Sequence, residues 1–150
     1  MALASLGMSI EEAARTGLVA IVDDDPSIRE ATLGLMRSLG LRAAAFASAE
    51  EFLRSGDLQR TDCLIADMRM SGMSGLELHR YLVAAGNAIP TILVTAYSDE
   101  RLRAQSLKAG LVGCLSKPFA DADLRRCIDL ALARNAGVRW PAVISSAGRA

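Results

Sequence analysis

The sequence predicts a three-layer α/β domain on a parallel sheet, and three observations predict it. Apolar runs of strand length alternate five times with segments of helical period, the pattern that pairs strands in parallel through right-handed crossovers. The helical segments open on capping residues and close on glycines. The apolar runs also end in reactive side chains: Ile21-Val22 runs into Asp23-Asp24-Asp25, Leu64-Ile65-Ala66 into Asp67, and Ile92-Leu93-Val94 into Thr95, while Leu115-Ser116 leads into Lys117-Pro118. Polar groups at the ends of successive buried strands are what an open parallel sheet uses to build a site along its C-terminal edge. The expected strand order over residues 18–137 is 2-1-3-4-5.

Taken in order, residues 1–17 read as an extension in which Ser9-Ile10-Glu11-Glu12 fits a capping box. Leu18 to Val22 is the first strand. Asp25 caps a helix with Pro26 in its first turn, Ile28, Leu33, Leu35, Met36 and Leu39 as its apolar positions, and Gly40 as its stop. Leu41 to Phe46 is an alanine-rich second strand, and Ser48-Ala49-Glu50-Glu51 opens a short helix. Residues 63–66 form the third strand, and Gly72 to Gly75 a loop. Ser74-Gly75-Leu76-Glu77 repeats the capping pattern before a helix through Leu82. Pro90 precedes a fourth strand, Thr91 to Thr95. Ser98 or Asp99 caps a helix that stops at Gly110, Val112 to Ser116 is the fifth strand, and Asp121 caps a long helix reaching Gly137. Residues 138–150 have no period and read as a tail.

Bulk properties narrow the function classes. Hydrophobic residues make up 51%, but no run approaches the roughly 18 to 20 apolar residues of a membrane span. Residues 1–18 lack the basic start and apolar core of a signal peptide. Three scattered cysteines, Cys63, Cys114 and Cys127, read as buried thiols rather than a disulfide frame or a metal site. The 17 basic and 17 acidic residues balance, which gives no broad nucleic-acid footprint. A cytoplasmic location is expected.

In that strand order, Asp23 and Asp24 stand beside Asp67. Two carboxylates at ~4 Å repel by roughly 4 kcal/mol at an effective dielectric near 20. Either a raised carboxyl pKa or a divalent cation offsets this, and an open oxygen-lined site suits Mg²⁺. The Asp23–Asp25 run also has a purely structural reading as a helix cap. Only one residue can be the cap, so Asp25 takes that role and Asp23 and Asp24 the pocket. A phosphoryl group on Asp67 would offer oxygens to Mg²⁺, to the Lys117 ammonium and to the Thr95 hydroxyl, with Asp67 as nucleophile. Of the 17 basic residues only Lys108 and Lys117 are lysines, so a compact ammonium at 117 is a choice against the prevailing arginine. The Lys117-Pro118 bond admits the cis form, which would aim Lys117 inward. His79, the only histidine, is expected on the surface, and Arg125-Arg126 as the solvated face of the last helix.

These segments, together with Asp67-Met68-Arg69-Met70-Ser71-Gly72-Met73-Ser74-Gly75, Val94-Thr95-Ala96, Lys108-Ala109-Gly110 and Lys117-Pro118-Phe119, resemble in order and spacing the receiver domain of two-component response regulators. The resemblance covers about 18–137. It implies a flavodoxin-like (βα)5 fold with a doubly wound five-stranded sheet, and a phosphoacceptor rather than an enzyme, with self-catalysed phosphorylation and dephosphorylation as its own chemistry. Asp67 would be the phosphoacceptor. Mg²⁺ would be held by Asp24 and Asp67, by Asp23 through water, and by the Arg69 backbone carbonyl, while Thr95 and Lys117 would hold the phosphoryl oxygens. Arg69 and Tyr97 flank the place where receivers tune loss of the phosphate. The donor would be a sensor histidine kinase or a histidine phosphotransfer protein docking beside the first helix near Ile28 and Leu33. The switched surface would be the fourth helix, fifth strand and fifth helix, with Arg101, Arg103, Gln105 and Lys108, open to a homodimer or a protein target.

Two residues depart from the family pattern. Ser71 stands where a proline is usual, and Cys114 replaces the aromatic ring that turns inward in receivers. The residues after Gly137 are too few for a helix-turn-helix, so a stand-alone domain without direct nucleic-acid or membrane contact is expected. Two other classes compete. One is a degenerate receiver serving as a phosphorylation-independent interaction module, favoured by Ser71 and Cys114. The other is an aspartate-nucleophile phosphatase, disfavoured because its general-acid position is Arg69.

Overall fold

The computed structural model describes residues 18–96, 99–135 and 144–145. In chain order the elements are β1 (Leu18–Val22), α1 (Pro26–Ser38), β2 (Arg42–Phe46), α2 (Ala49–Arg54), β3 (Thr61–Asp67), α3 (Gly75–Ala84), β4 (Thr91–Thr95), α4 (Glu100–Ala109), β5 (Gly113–Ser116), α5 (Asp121–Asn135) and β6 (Ile144–Ser145), with a 3-10 turn at Leu58–Arg60. All strand pairs are parallel, in the order β2-β1-β3-β4-β5-β6. The first five reproduce the expected order and the flavodoxin-like winding. The sixth lies within the segment 138–150, where the sequence shows no period and no strand is expected. It is too short to leave a periodic signal, and it pairs its backbone to what would otherwise be an open edge of β5.

The parallel arrangement follows from strands that are apolar on both faces. Every residue of β1 and of β4 is buried, as strands covered by helices on both sides require. Alternate side chains point to opposite layers. Val19, Ile21, Cys63, Ile65, Ile92 and Val94 meet Met36 of α1 and Leu124, Cys127, Ile128 and Ala131 of α5. On the other face Ala20, Val22, Leu64 and Ala66 meet Phe52 of α2 and Leu78 and Leu82 of α3. A third group joins Leu93 and Cys114 to Leu76 of α3 and Leu102 of α4. Two helices therefore cover one face and three the other. All three thiols are buried, as their surroundings in sequence imply.

Helix ends obey the local signals. The Asp25 carboxylate accepts from the Ser27 and Ile28 N–H groups at the start of α1. Ser74 and Glu77 form a reciprocal capping box on α3. At α2 only half of the expected box forms on Ser48, since the Glu51 carboxylate reaches one residue further back, to the Ala47 N–H. Asp99 caps α4, and Gly110 ends it in the left-handed conformation with φ +78°. The Ser9–Glu12 capping box lies outside the described residues.

His79 is not on the surface. It is 4% exposed. It lies on the buried stripe Gly75, Leu78, His79, Leu82 of α3. Its Nδ1 is 2.9 Å from the Thr91 hydroxyl and its Nε2 2.8 Å from the Ala109 carbonyl. Both polar ends are matched, so an imidazole can occupy an apolar position there. Burial, joined by the positive charges of Arg134 and Arg80, pushes its pKa down.

Two glycines have opposite stakes. A Cβ on Gly75 would lie 2.5 Å from the Asp67 carbonyl oxygen and 2.8 Å from Leu93 Cδ1, whereas one on Gly34, inside α1, would meet nothing within 4 Å. Gly75→Ala is expected to destabilise by about 1–3 kcal/mol. Gly34→Ala is expected to stabilise by roughly 0.5–1 kcal/mol. Urea denaturation of both variants measures the contrast.

Candidate functional site

The site begins where β1 ends. Asp23 is fixed on every side. Its N–H donates to the Phe46 carbonyl at the end of β2, and its own carbonyl accepts from Arg29 Nη1 at 2.8 Å. Its Oδ1 accepts from the Asp25 N–H at 2.9 Å, and its Oδ2 from Lys117 Nζ at 3.2 Å. Asp67, the last residue of β3, faces it from the next strand. The Met68 N–H ties that strand end to the Val94 carbonyl on β4 at 2.7 Å. Lys117 follows β5, its N–H bonded to the Thr95 carbonyl at 2.8 Å, and the Lys117-Pro118 peptide is cis. Its ammonium reaches Asp67 Oδ1 at 3.5 Å as well as Asp23.

One carboxylate oxygen each from Asp23, Asp24 and Asp67 lie within 4.8 Å of one another, with Asp23 and Asp67 buried and Asp24 exposed. Three acidic groups thus meet one ammonium. Burial first, and then the Asp23 charge, push the Asp67 carboxyl above its usual pKa; the Lys117 ammonium and a hydrogen bond from the Arg69 backbone N–H pull against them. An oxygen-only donor set, a surplus of negative charge and one open side fit a hard divalent cation such as Mg²⁺. Asp23, Asp24 and Asp67 are the groups gathered to hold it.

The remaining expected residues separate. Thr95 ends β4 beside Asp67 and is fully buried. Cys114 lies in the cluster with Leu93, Leu102 and Leu111 under α4. Tyr97 falls outside the described residues. Two contributors have no signal in sequence. Arg29 reaches back from α1 to the Asp23 carbonyl, and the Glu50 carboxylate of α2 accepts from the Met73 N–H at 3.2 Å. Both are surface-type residues whose partners only the folded chain brings near.

A doubly wound parallel sheet with an acidic pocket and a lysine at its C-terminal edge defines a receiver-type domain. The family model of the response regulator receiver domain matches residues 19–129, and the chain belongs to that family. It is 40% identical over 115 residues to the response regulator protein TmoT of Ectopseudomonas mendocina, covering 77% of this chain and 52% of that protein. It is 36% identical over 118 residues to the transcriptional regulatory protein FixJ of Azorhizobium caulinodans, covering 79% and 56%. Among solved structures, the response regulator StyR superposes with a TM-score of 0.75 at 38% identity, covering 81% of this chain and 62% of that one. The chain spans about half the length of the curated relatives it matches.

The raised Asp67 pKa sets a stability test. Its folded value lies above the unfolded one, so the folded state favours the protonated carboxyl. It is penalised as pH rises through that folded value, and the penalty is absent once both states are protonated. Asp67→Asn is therefore expected to melt a few degrees above the wild type near pH ~7 in chelator, the gap closing towards pH ~3. Mg²⁺ at ten times its Kd should raise wild-type stability by about 1.4 kcal/mol and the variant less. Thermal melts across pH, with and without Mg²⁺, measure both.

Proposed function

We propose that this receiver is an Mg²⁺-dependent phosphoacceptor that takes a phosphoryl group on Asp67 from a phosphohistidine on a separate protein. The carrying observation is the Lys117 ammonium shared between Asp23 and Asp67 in a pocket of three clustered carboxylates. An Asp67 carboxylate oxygen attacks phosphorus, the P–N bond to the donor imidazole breaks, and the imidazole leaves with the bonding electrons. Lys117, already beside Asp67, pairs with a phosphoryl oxygen, and the Thr95 hydroxyl at the end of β4 donates to another. The bound cation supplies charge neutralisation for oxygens gathered on the acidic side. Arg69, Tyr97 and Cys114 modulate the lifetime and the readout of the phosphoryl group.

A sensor histidine kinase or phosphotransfer protein is the donor. A groove of about 790 Å³ opens beside Lys117, with Ile28, Thr32 and Leu35 of α1 on one wall and Pro118, Phe119 and Leu124 on the other. Its apolar walls suit a donor helix that brings a histidine to the pocket. On the far side, Arg101 and Lys108 of α4 are exposed, and that helix with β5 and α5 forms the surface offered to a second copy or a protein target. Among the described residues no helix is long and apolar enough to cross a membrane. We place the domain in the cytoplasm, working through protein contacts rather than direct nucleic-acid contact. Basic and acidic residues balance at 17 each, which supports that reading.

Incubation with acetyl phosphate and Mg²⁺ followed by intact-mass measurement tests the chemistry. One added phosphoryl group is expected for the wild type and none for Asp67→Asn. Lys117→Ala should slow the reaction by roughly 10²-fold, as loss of a charge-stabilising donor does. No adduct with acetyl phosphate or a phosphorylated donor, while beryllofluoride still binds, would replace this reading with a phosphorylation-independent interaction module.

A further inference from the structure

The segment from Met68 to Ser74 leaves β3 at Asp67 and returns to α3. Its ends are tied locally. The Gly75 N–H donates to the Met68 carbonyl at 3.3 Å, Gly75 packs its backbone on the Asp67 carbonyl, and Ser74 is held by its capping box. Its middle is held from elsewhere. Glu50, in the first turn of α2, accepts from the Met73 N–H at 3.2 Å. Gly72, with φ +84°, brings its backbone so close that a Cβ there would lie 2.9 Å and 3.2 Å from the two Glu50 carboxylate oxygens. The helix carrying Glu50 is itself anchored, since Ala49 and Phe52 are fully buried and Met70 and Met73 pack on that same cluster. A carboxylate in the first turn of a helix also sits favourably in the helix dipole.

This matters because the segment contains Arg69, whose N–H bonds the Asp67 carboxylate. The proline that would stiffen such a loop is Ser71 here.

We propose that Glu50 is a positioning residue for the phosphoacceptor pocket: by clamping Gly72-Met73 it fixes the Arg69 backbone against Asp67 and so sets how readily the pocket takes up Mg²⁺. The inference rests on the phosphoacceptor reading above. Glu50 touches neither the acidic cluster nor Lys117. It acts through the loop backbone.

The experiment compares the full chain with Glu50→Ala and Glu50→Gln by two readouts. The first is the Mg²⁺ concentration that half-saturates the rate of acetyl phosphate labelling. The second is amide hydrogen exchange of residues 68–73 in metal-free protein, with melting temperature as the fold control. Losing a hydrogen bond to a charged acceptor should raise the half-saturating Mg²⁺ and the Met73 exchange rate each by about tenfold in Glu50→Ala. Glu50→Gln keeps an oxygen acceptor and should recover most of both. Unchanged Mg²⁺ dependence in Glu50→Ala, or a Gln variant as impaired as the Ala variant, would overturn the role of Glu50 and leave the phosphoacceptor reading standing. A wild type that takes no phosphoryl group would instead sink that reading, and this one with it.

Discussion

Three carboxylates and a single ammonium share the C-terminal edge of the sheet, and their imbalance is the constraint around which the domain is arranged. At ~4 Å each like-charged contact costs roughly 4 kcal/mol at an effective dielectric near 20. Lys117 relieves part of this by lying between Asp23 and Asp67. The groups cannot drift apart to relax, because Asp23 is bonded through its amide, its carbonyl and both carboxylate oxygens. Asp67 is likewise fixed at a strand end with glycine packed on its carbonyl. The apolar layers hold the strand ends in place, so the unfavourable electrostatics are built into the fold.

Much of this was legible in the chain because the relevant signals are local. Residue-by-residue burial makes β1 and β4 read as unbroken apolar runs, and both strands have the expected limits. Asp25 declares itself as a cap by its proline neighbour, and Gly110 stops α4 as a left-handed residue must. Asp23, Asp24, Asp67, Thr95 and Lys117 were found together because each directly ends or follows a strand, so topology alone makes them neighbours.

What stayed hidden depends on long-range partners or on elements too short to carry a period. β6 is two residues long and exists only as a backbone pairing with β5. His79 lies within an otherwise apolar helical stripe, and nothing in the helix announces that Thr91 and the end of α4 will satisfy its ring. Glu50 reads as an ordinary helix-start glutamate; its bond to Met73 spans 23 positions. Cys114 is visible in sequence as a departure, but only the structure shows that, among the described residues, it is walled in by Leu93, Leu102 and Leu111.

The enclosure of the thiols reaches beyond packing. Thiolate, not thiol, reacts with peroxides and disulfides. Burial, with Cys127 and Asp62 adding negative charge nearby, pushes the Cys63 thiol far up and keeps it protonated. Cys114 and Cys127 are likewise wholly shielded from solvent. The three thiols are therefore kept apart from the redox state of the surroundings. An oxidant that attacks exposed thiols finds none among these three cysteines, each of which is closed off by the layers that form the core.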